Sequence, residues 1–387
     1  MAHLFRFQLP ATALTATLLL ACGGDKAESA PSSEAAKPAA APGDAKVAPA
    51  DGKTAPAAAA AQAPEVAGIP PAVDLSTLPA LPGPKAEGNV PEDIAAADKA
   101  KDCKIVEGKL ADCDAAEDAY QTATNNFVVA KAPAHVQTVF NLLAHDSPAV
   151  RVLVLDAGPL RYLDAYGDDI EDKAPLYRGL LAAAAKETDP GARSSFAWAV
   201  CEIPEDAVDG LTGILGAIAE RYGADEEGAH IVRAIADRCG DDTAPCRNAL
   251  LGVAGRNADP HVQLAALEKL EYMEPAPPAD TWCPLVRHTM DTLEDESDLS
   301  TAIGLFTGET IDCAAHFDAW LSRLPELAKA GKLTYAELNA ALRLADREDG
   351  NARIGKLREL GKQLQAVVGK DHDLRDLVDN LATLEAA

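Results

Sequence analysis

Eight cysteines and eight histidines are the side chains of this 387-residue sequence with the most chemistry to offer. Six cysteines fall into local pairs: Cys103 with Cys113, Cys239 with Cys246, and Cys283 with Cys313. Each pair is close enough in sequence to close a disulfide, and each such loop would add about 2 to 4 kcal/mol by restricting the unfolded chain. The last pair supports a second chemistry. Cys283 with His288 forms Cys-x4-His, and Cys313 with His316 forms Cys-x2-His, a donor set that could hold zinc tetrahedrally. The two readings exclude each other, and an oxidising compartment favours the disulfide. Cys201 is left over near the end of an apolar helical pattern, where a buried thiol packs as a small hydrophobe. A rival pairing joins Cys201 to Cys239, since both end equivalent helices in adjacent copies of a repeat. Helix axes about 8 to 10 Å apart make that approach uncommon.

Little else points to catalysis. The sequence has no Gly-x-Ser-x-Gly, no phosphate-loop pattern and no His-Glu-x-x-His. Gly210, Gly213 and Gly216 recur at three-residue spacing on one helix, where they favour close helix packing over a phosphate cradle. Acidic groups at Asp168, Asp169, Glu171, Asp172 and at Asp291, Glu294, Asp295, Glu296, Asp298 could recruit calcium, but neither places oxygens at the alternating positions of an EF-hand loop. Solvated loops are the simpler reading. Aromatics make up only 4% of the chain, so Trp198, Trp282 and Trp320 are expected in the core. No catalytic residue and no cofactor is therefore assigned. A catalytic or metal site assembled from dispersed residues stays open as an alternative.

Those side chains must be positioned by something, and composition divides the chain unevenly. The first residues carry Arg6 and then an apolar run from Leu9 to Ala21, too short for a membrane span of roughly 20 residues and suited to a secretory leader over 1–21. Leu19, Leu20, Ala21, Cys22 resembles a bacterial lipoprotein lipobox, which implies that Cys22 is acylated and becomes the first residue of the mature chain. Gly23 follows where aspartate would mark inner-membrane retention, so the resemblance implies the outer membrane, with the body in the periplasm or at the cell surface. Residues 22–92 are rich in alanine and proline and lack aromatics, so a disordered tether is expected. Within it, Ile69, Val73, Leu75, Leu78 and Leu81 could dock as an extended strap, although no periodicity supports this. The formal net charge of −26 disfavours nucleic acid and favours cationic partners.

From Asp93 the chain reads as folded. Residues 93–113 suggest a small hairpin turning at Glu107 and Gly108, closed by Cys103 and Cys113 and capping the first helix. Residues 114–387 read as helical. Val136, Val139, Phe140, Leu143 and again Leu211, Ile214, Leu215, Ile218 fall at i, i+3, i+4 and i+7, each set on one apolar face. Pro133, Pro175, Pro204 and Pro245 mark helix starts, Gly158, Gly223 and Gly240 mark stops, and Pro325 breaks or restarts a helix. Thr334 with Glu337 forms a capping box.

One short phrase recurs: Asp146, Ser147, Pro148, Ala149, Val150, Arg151; then Asp189, Pro190, Gly191, Ala192, Arg193; then Asp259, Pro260, His261, Val262, Gln263. A degraded copy at Gly228, Ala229, His230 lacks the proline. An imperfect period with a helix on either side of an Asp-Pro break predicts an all-α solenoid of stacked helical hairpins. The phrase resembles the HEAT repeat, particularly its bacterial HEAT-like form, over about half of the folded body; Gln263 in place of arginine and the loss of the phrase after Met273 depart from it. The resemblance implies that Asp and Arg of the phrase bond within and between repeats. Tether, repeat and missing motifs together lead to the expectation of a lipid-anchored scaffold or adaptor for another cell-envelope protein, held to the membrane through Cys22. A structural spacer of the envelope without a specific ligand is a further alternative.

Overall fold

The computed structural model describes residues 66–125, 131–223, 226–240, 243–347, 352–370 and 372–385. The expected leader, Cys22 and residues 22–65 of the expected tether lie outside them. The body opens with α1 (Pro91–Ala97), a two-stranded hairpin of β1 (Lys104–Val106) and β2 (Lys109–Ala111), and α2 (Asp114–Asn125). Stacked helices follow: α3 (Ala132–Leu142), α4 (Pro148–Ala157), a short α5 (Pro159–Tyr166), α6 (Ala174–Lys186), α7 (Pro190–Cys201), α8 (Leu211–Ala219), α9 (Glu226–Asp237), α10 (Ala244–Arg256), α11 (Pro260–Glu271), α12 (Ala279–Thr292) and α13 (Glu296–Thr307). The remainder is α14 (Ala314–Leu321), α15 (Leu324–Lys329), α16 (Tyr335–Arg343), α17 (Ile354–Gln365) and α18 (Arg375–Ala382). The fold is all-α, and among the described residues no helix is long and apolar enough to cross a membrane.

The helices form antiparallel pairs because each apolar face needs a neighbour. α6 packs on α7, α8 on α9, α10 on α11 and α12 on α13, while α4, α7, α9, α11 and α13 pack in sequence as one row. α3, α6, α8, α10 and α12, the first members of the pairs, make the first row, and α4, α7, α9, α11 and α13 the second. Val136, Val139, Phe140 and Leu143, the first apolar set, are essentially inaccessible, and so are Leu215 and Ile218 of the second. Polar bonds repeat with the same step. Arg151 binds Glu187 and Arg256 binds Glu220 across 36 residues, Arg221 binds the Ala185 carbonyl across 36, and Tyr222 and Asn257 reach back 38 residues to Ala184 and Ala219. Asp189, Asp259 and Asp295 each cap a helix of the second row, accepting N–H bonds from its first turn. Asp146 does not; Ser147 occupies that N-cap position. Thr334 and Glu337 form the reciprocal capping box on α16, and Pro325 restarts the chain as α15.

Two expectations need correction. Pro204 introduces a 3-10 turn, Glu205–Ala207, and α8 begins only at Leu211 after Gly210, because Val208 is extended and buried between them. The spacer expected to reach Glu92 ends earlier, since residues 66–90 lie along the body as a strap crossing the first row. The Thr281 hydroxyl of α12 donates to the Ala67 carbonyl at 2.9 Å, and Arg256 of α10 donates to the Pro70 carbonyl at 2.6 Å. Glycines make the track. A Cβ on Gly255 would sit 2.3 Å from Ile69, and one on Gly179 of α6 would sit 2.3 Å from Leu81; Gly213 of α8 faces Val73. Leu75 is 4% exposed, and the Val90 N–H donates to Thr138 of α3 at 2.8 Å. Gly216 faces Ala249 instead, allowing α8 and α10 to approach closely.

Candidate functional site

The second row carries the chemically distinctive surface. Glu107 and Gly108 form the two-residue turn between β1 and β2, both with positive φ of 50° and 75°, the geometry whose twist suits a tight hairpin. Cys103 and Cys113 are bridged at its base. The hairpin leads into α2, whose first-turn N–H groups of Ala116 and Glu117 donate to the Cys113 carbonyl at 2.8 and 3.1 Å. Its strands lie on α4 and α7, where α7 presents Gly191, Ser194 and Ser195. A Cβ on Gly191 would come within 2.3 Å of Ile105, one on Gly108 would meet Ser194 at 3.2 Å, and the Ser195 hydroxyl donates to the Gly108 carbonyl at 3.4 Å.

Gly191, Ser194, Ser195 and Trp198 follow one another at i, i+3, i+4 and i+7, so the face of α7 beneath the hairpin ends in an indole. Trp198 is 54% exposed, whereas Trp282 and Trp320 are 0% and 2% exposed. The expectation that all three are core residues fails at Trp198. Its ring rests on His230 of α9 with centroids 3.8 Å apart. His230 is 8% exposed, and among the described residues its Nε2 has no hydrogen-bond partner. Burial first, and then the neighbouring Arg233 cation, depress its pKa to about 4 against a weaker opposing pull from Asp237, so the imidazole is neutral at neutral pH.

A groove of about 590 Å³ runs between the hairpin and α9, lined by Glu107, Asp189, Trp198, Glu226, Glu227 and Arg233 among others. On the far side of the hairpin tip a smaller groove of about 270 Å³ shares Glu107, Gly108, Ser194 and Trp198 and adds Lys109, Asp156, Arg161 and Glu202. Desolvation of its carboxyl in this groove, and to a lesser degree the Glu117 charge, push Asp156 up to about 6 despite Lys109 and a hydrogen bond with Ser195, although the residue as a whole stays exposed.

The residues singled out from sequence are placed elsewhere. Cys239 and Cys246 are bridged between the end of α9 and α10, and Cys283 and Cys313 between α12 and the start of α14. Cys201, 4% exposed at the end of α7, lies outside these bridges, so its pairing with Cys239 is not formed. The zinc alternative fails because the sulfurs of Cys283 and Cys313 are spent on each other; His288 and His316 are half-buried. The acidic groups considered for calcium have structural work: Asp295 caps α13, Asp298 binds His261, Asp291 binds Arg323, and Asp172 accepts from the Ala174 N–H. Among the described residues no group of three or more His, Cys, Asp and Glu is arranged to hold a metal ion. The arginines of the repeated phrase are structural too, Arg151 on Glu187 and Arg193 on the Glu187 carbonyl and over the Tyr222 ring.

Sequence reasoning missed the groove. The signal that could have found it is the run Gly191, Ser194, Ser195, Trp198 on one helix face, three small residues followed by a large one with no apolar companions. No protein-family model matches the chain, and no curated protein or solved structure matches it either.

Proposed function

We propose that this chain is a lipid-anchored, extracytoplasmic scaffold or adaptor built on HEAT-like repeats, which binds another protein of the cell envelope through the groove between the hairpin and α9. The observation that carries this reading is Trp198, a large aromatic half in solvent on a groove whose walls are held by a disulfide and by close packing on Gly191. Exposed aromatics beside fixed walls are typical anchors of protein interfaces. The repeat-to-repeat bonds at a 36-residue step support the HEAT-like assignment, and Leu19 to Cys22 supports the anchor at Cys22. Photo-crosslinking in intact membranes tests it. A photoreactive residue at position 233, which lines the groove on α9 and leaves Trp198 in place, should join one identified envelope protein, and a Cys22→Ala form should lose or reduce that product. The same residue at Tyr335, which is 55% exposed on α16, should not give it. Identical products from both positions, or none from position 233, would overturn the proposal.

A further inference from the structure

The same groove specifies the chemistry of what it holds, an inference that rests on the scaffold reading and narrows it. We propose that the groove takes an extended cationic segment of the partner protein, with a lysine or arginine side chain lying over Trp198.

Charge makes the first argument. Glu107, Asp189, Glu226 and Glu227 line the larger groove against one lining cation, Arg233. Across the hairpin tip Asp156 and Glu202 balance Lys109 and Arg161, so the two grooves together carry six acids against three bases, with the excess on the α9 side. The chain as a whole carries −26, which draws cationic partners toward it before any contact forms. An acidic segment would be repelled by this surface, and a neutral one would gain only the apolar contact with Trp198.

Trp198 makes the second. Tryptophan is the best aromatic face for a cation, and here one side of the indole rests on a neutral imidazole while more than half of the residue stays open to solvent. A charged imidazolium beneath the ring would have competed for it. His230 makes the third and independent argument. Its Nε2, on a residue more than nine-tenths buried at the groove, has no hydrogen-bond partner among the described residues. In the tautomer protonated on Nδ1 the neutral imidazole leaves that nitrogen as an acceptor, and an N–H donor such as a guanidinium or ammonium group reaches the covered atom once the Trp198 ring turns aside to admit it. Shape selects a peptide over a small cation. Two open grooves of about 590 and 270 Å³ meet at Trp198 around the hairpin tip, a path that a chain can follow and that would leave a single small cation mostly solvated.

The test is fluorescence anisotropy of the full chain with a labelled nonapeptide of alternating arginine and serine. Matched glutamate–serine and glycine–serine peptides, free arginine and tetramethylammonium serve as competitors. The arginine peptide should bind, weaken with added salt, and quench the exposed Trp198 in preference to the two buried tryptophans. Trp198→Ala should weaken binding about 3- to 30-fold, the range of a cation–π contact. Glu226→Lys with Glu227→Lys should weaken it at least as much. Reversing the charges of Glu326 and Glu359, exposed on α15 and α17, should leave it within twofold and so exclude a general attraction to an acidic protein. Trp198 is exposed, so its replacement leaves the core intact; Trp198→Phe should retain part of the affinity.

Equal binding by Trp198→Ala would overturn the proposal, as would equal binding of the glycine–serine peptide, or free arginine matching the peptide. The crosslink from position 233 separates the two levels. A partner joined through a segment without basic residues refutes this inference and leaves the scaffold reading standing, whereas no partner at all removes the scaffold reading itself.

Discussion

Glu187 should be among the most costly single residues to remove from this protein. It follows α6, is 8% exposed, and its carboxylate receives four donors: Arg151 Nε at 2.7 Å, Arg151 Nη2 at 2.8 Å, and the N–H groups of Thr188 and Asp189 at 2.8 Å each. The two guanidinium bonds are parallel and cross from one repeat to the next. Glu187→Ala leaves the Arg151 side chain, 15% exposed, with no counter-ion. Breaking one half of a buried pair costs about 3 to 5 kcal/mol. Arg151 keeps its Nη1 bonds to the His145 and Asp146 carbonyls, which places the expected loss near the lower end, at about 3 kcal/mol. Arg151→Ala should cost less, about 2 kcal/mol, because Glu187 retains two backbone donors. The double variant should then show a coupling of about 1.5 to 3 kcal/mol. The pair Arg256 with Glu220 is the internal control, since its side chains are 29% and 12% exposed and the coupling should be smaller. Urea denaturation followed by circular dichroism gives each value. A loss below about 1 kcal/mol for Glu187→Ala, or strict additivity in the cycle, would refute the idea that this pair fastens neighbouring repeats.

Two further outcomes follow from named groups. Asp156 holds its proton more tightly when folded than when unfolded, so its contribution to stability falls as pH rises from about 4 through about 6. Asp156→Asn should therefore gain about 1 kcal/mol over the parent at pH 7.5, after allowance for solvent screening, and nothing at pH 3.5. Urea midpoints at the two pH values decide it, and an equal gain at both would sink the explanation. Replacing both Cys283 and Cys313 by serine opens a 30-residue loop and should cost about 3 to 4 kcal/mol. Treatment of the parent with dithiothreitol should cost at least as much, because it also opens the Cys103–Cys113 and Cys239–Cys246 bridges. Stoichiometric zinc in the untreated protein would instead revive the metal site.

Much of the repeat could be read from the sequence because it is written locally. Asp189 and Asp259 cap the helices that Pro190 and Pro260 open, and a cap needs only its own turn to act. The disulfides were legible for the same reason, each joining residues close along the chain. The strap was harder to see. Ile69, Val73 and Leu81 each dock on a different helix over a missing side chain at Gly255, Gly213 and Gly179. Neither the strap nor its track has a period, and only the fold aligns them. The site failed for a related reason. Scarce aromatics are usually buried, and Trp198 escapes that rule because Ile105 of a distant hairpin covers Gly191 on the same face and stops short of the indole.

The strap also imposes an order on folding. Bonds between neighbouring repeats span 36 to 38 residues, so the array can grow as soon as each helical pair exists. The bond from Thr281 to Ala67 spans 214 residues, and the one from Arg256 to Pro70 spans 186. Closing a loop of 214 residues costs about 1.6 kcal/mol more than closing one of 36. It also has to wait until α12 has been synthesised. The earliest part of the described body is therefore the last to find its place, and contact order rises in a topology otherwise built from local steps. Once closed, the strap turns a chain of nearest-neighbour units into a single cooperative body, because losing any one helix of the first row also removes a rung from the segment that crosses them all.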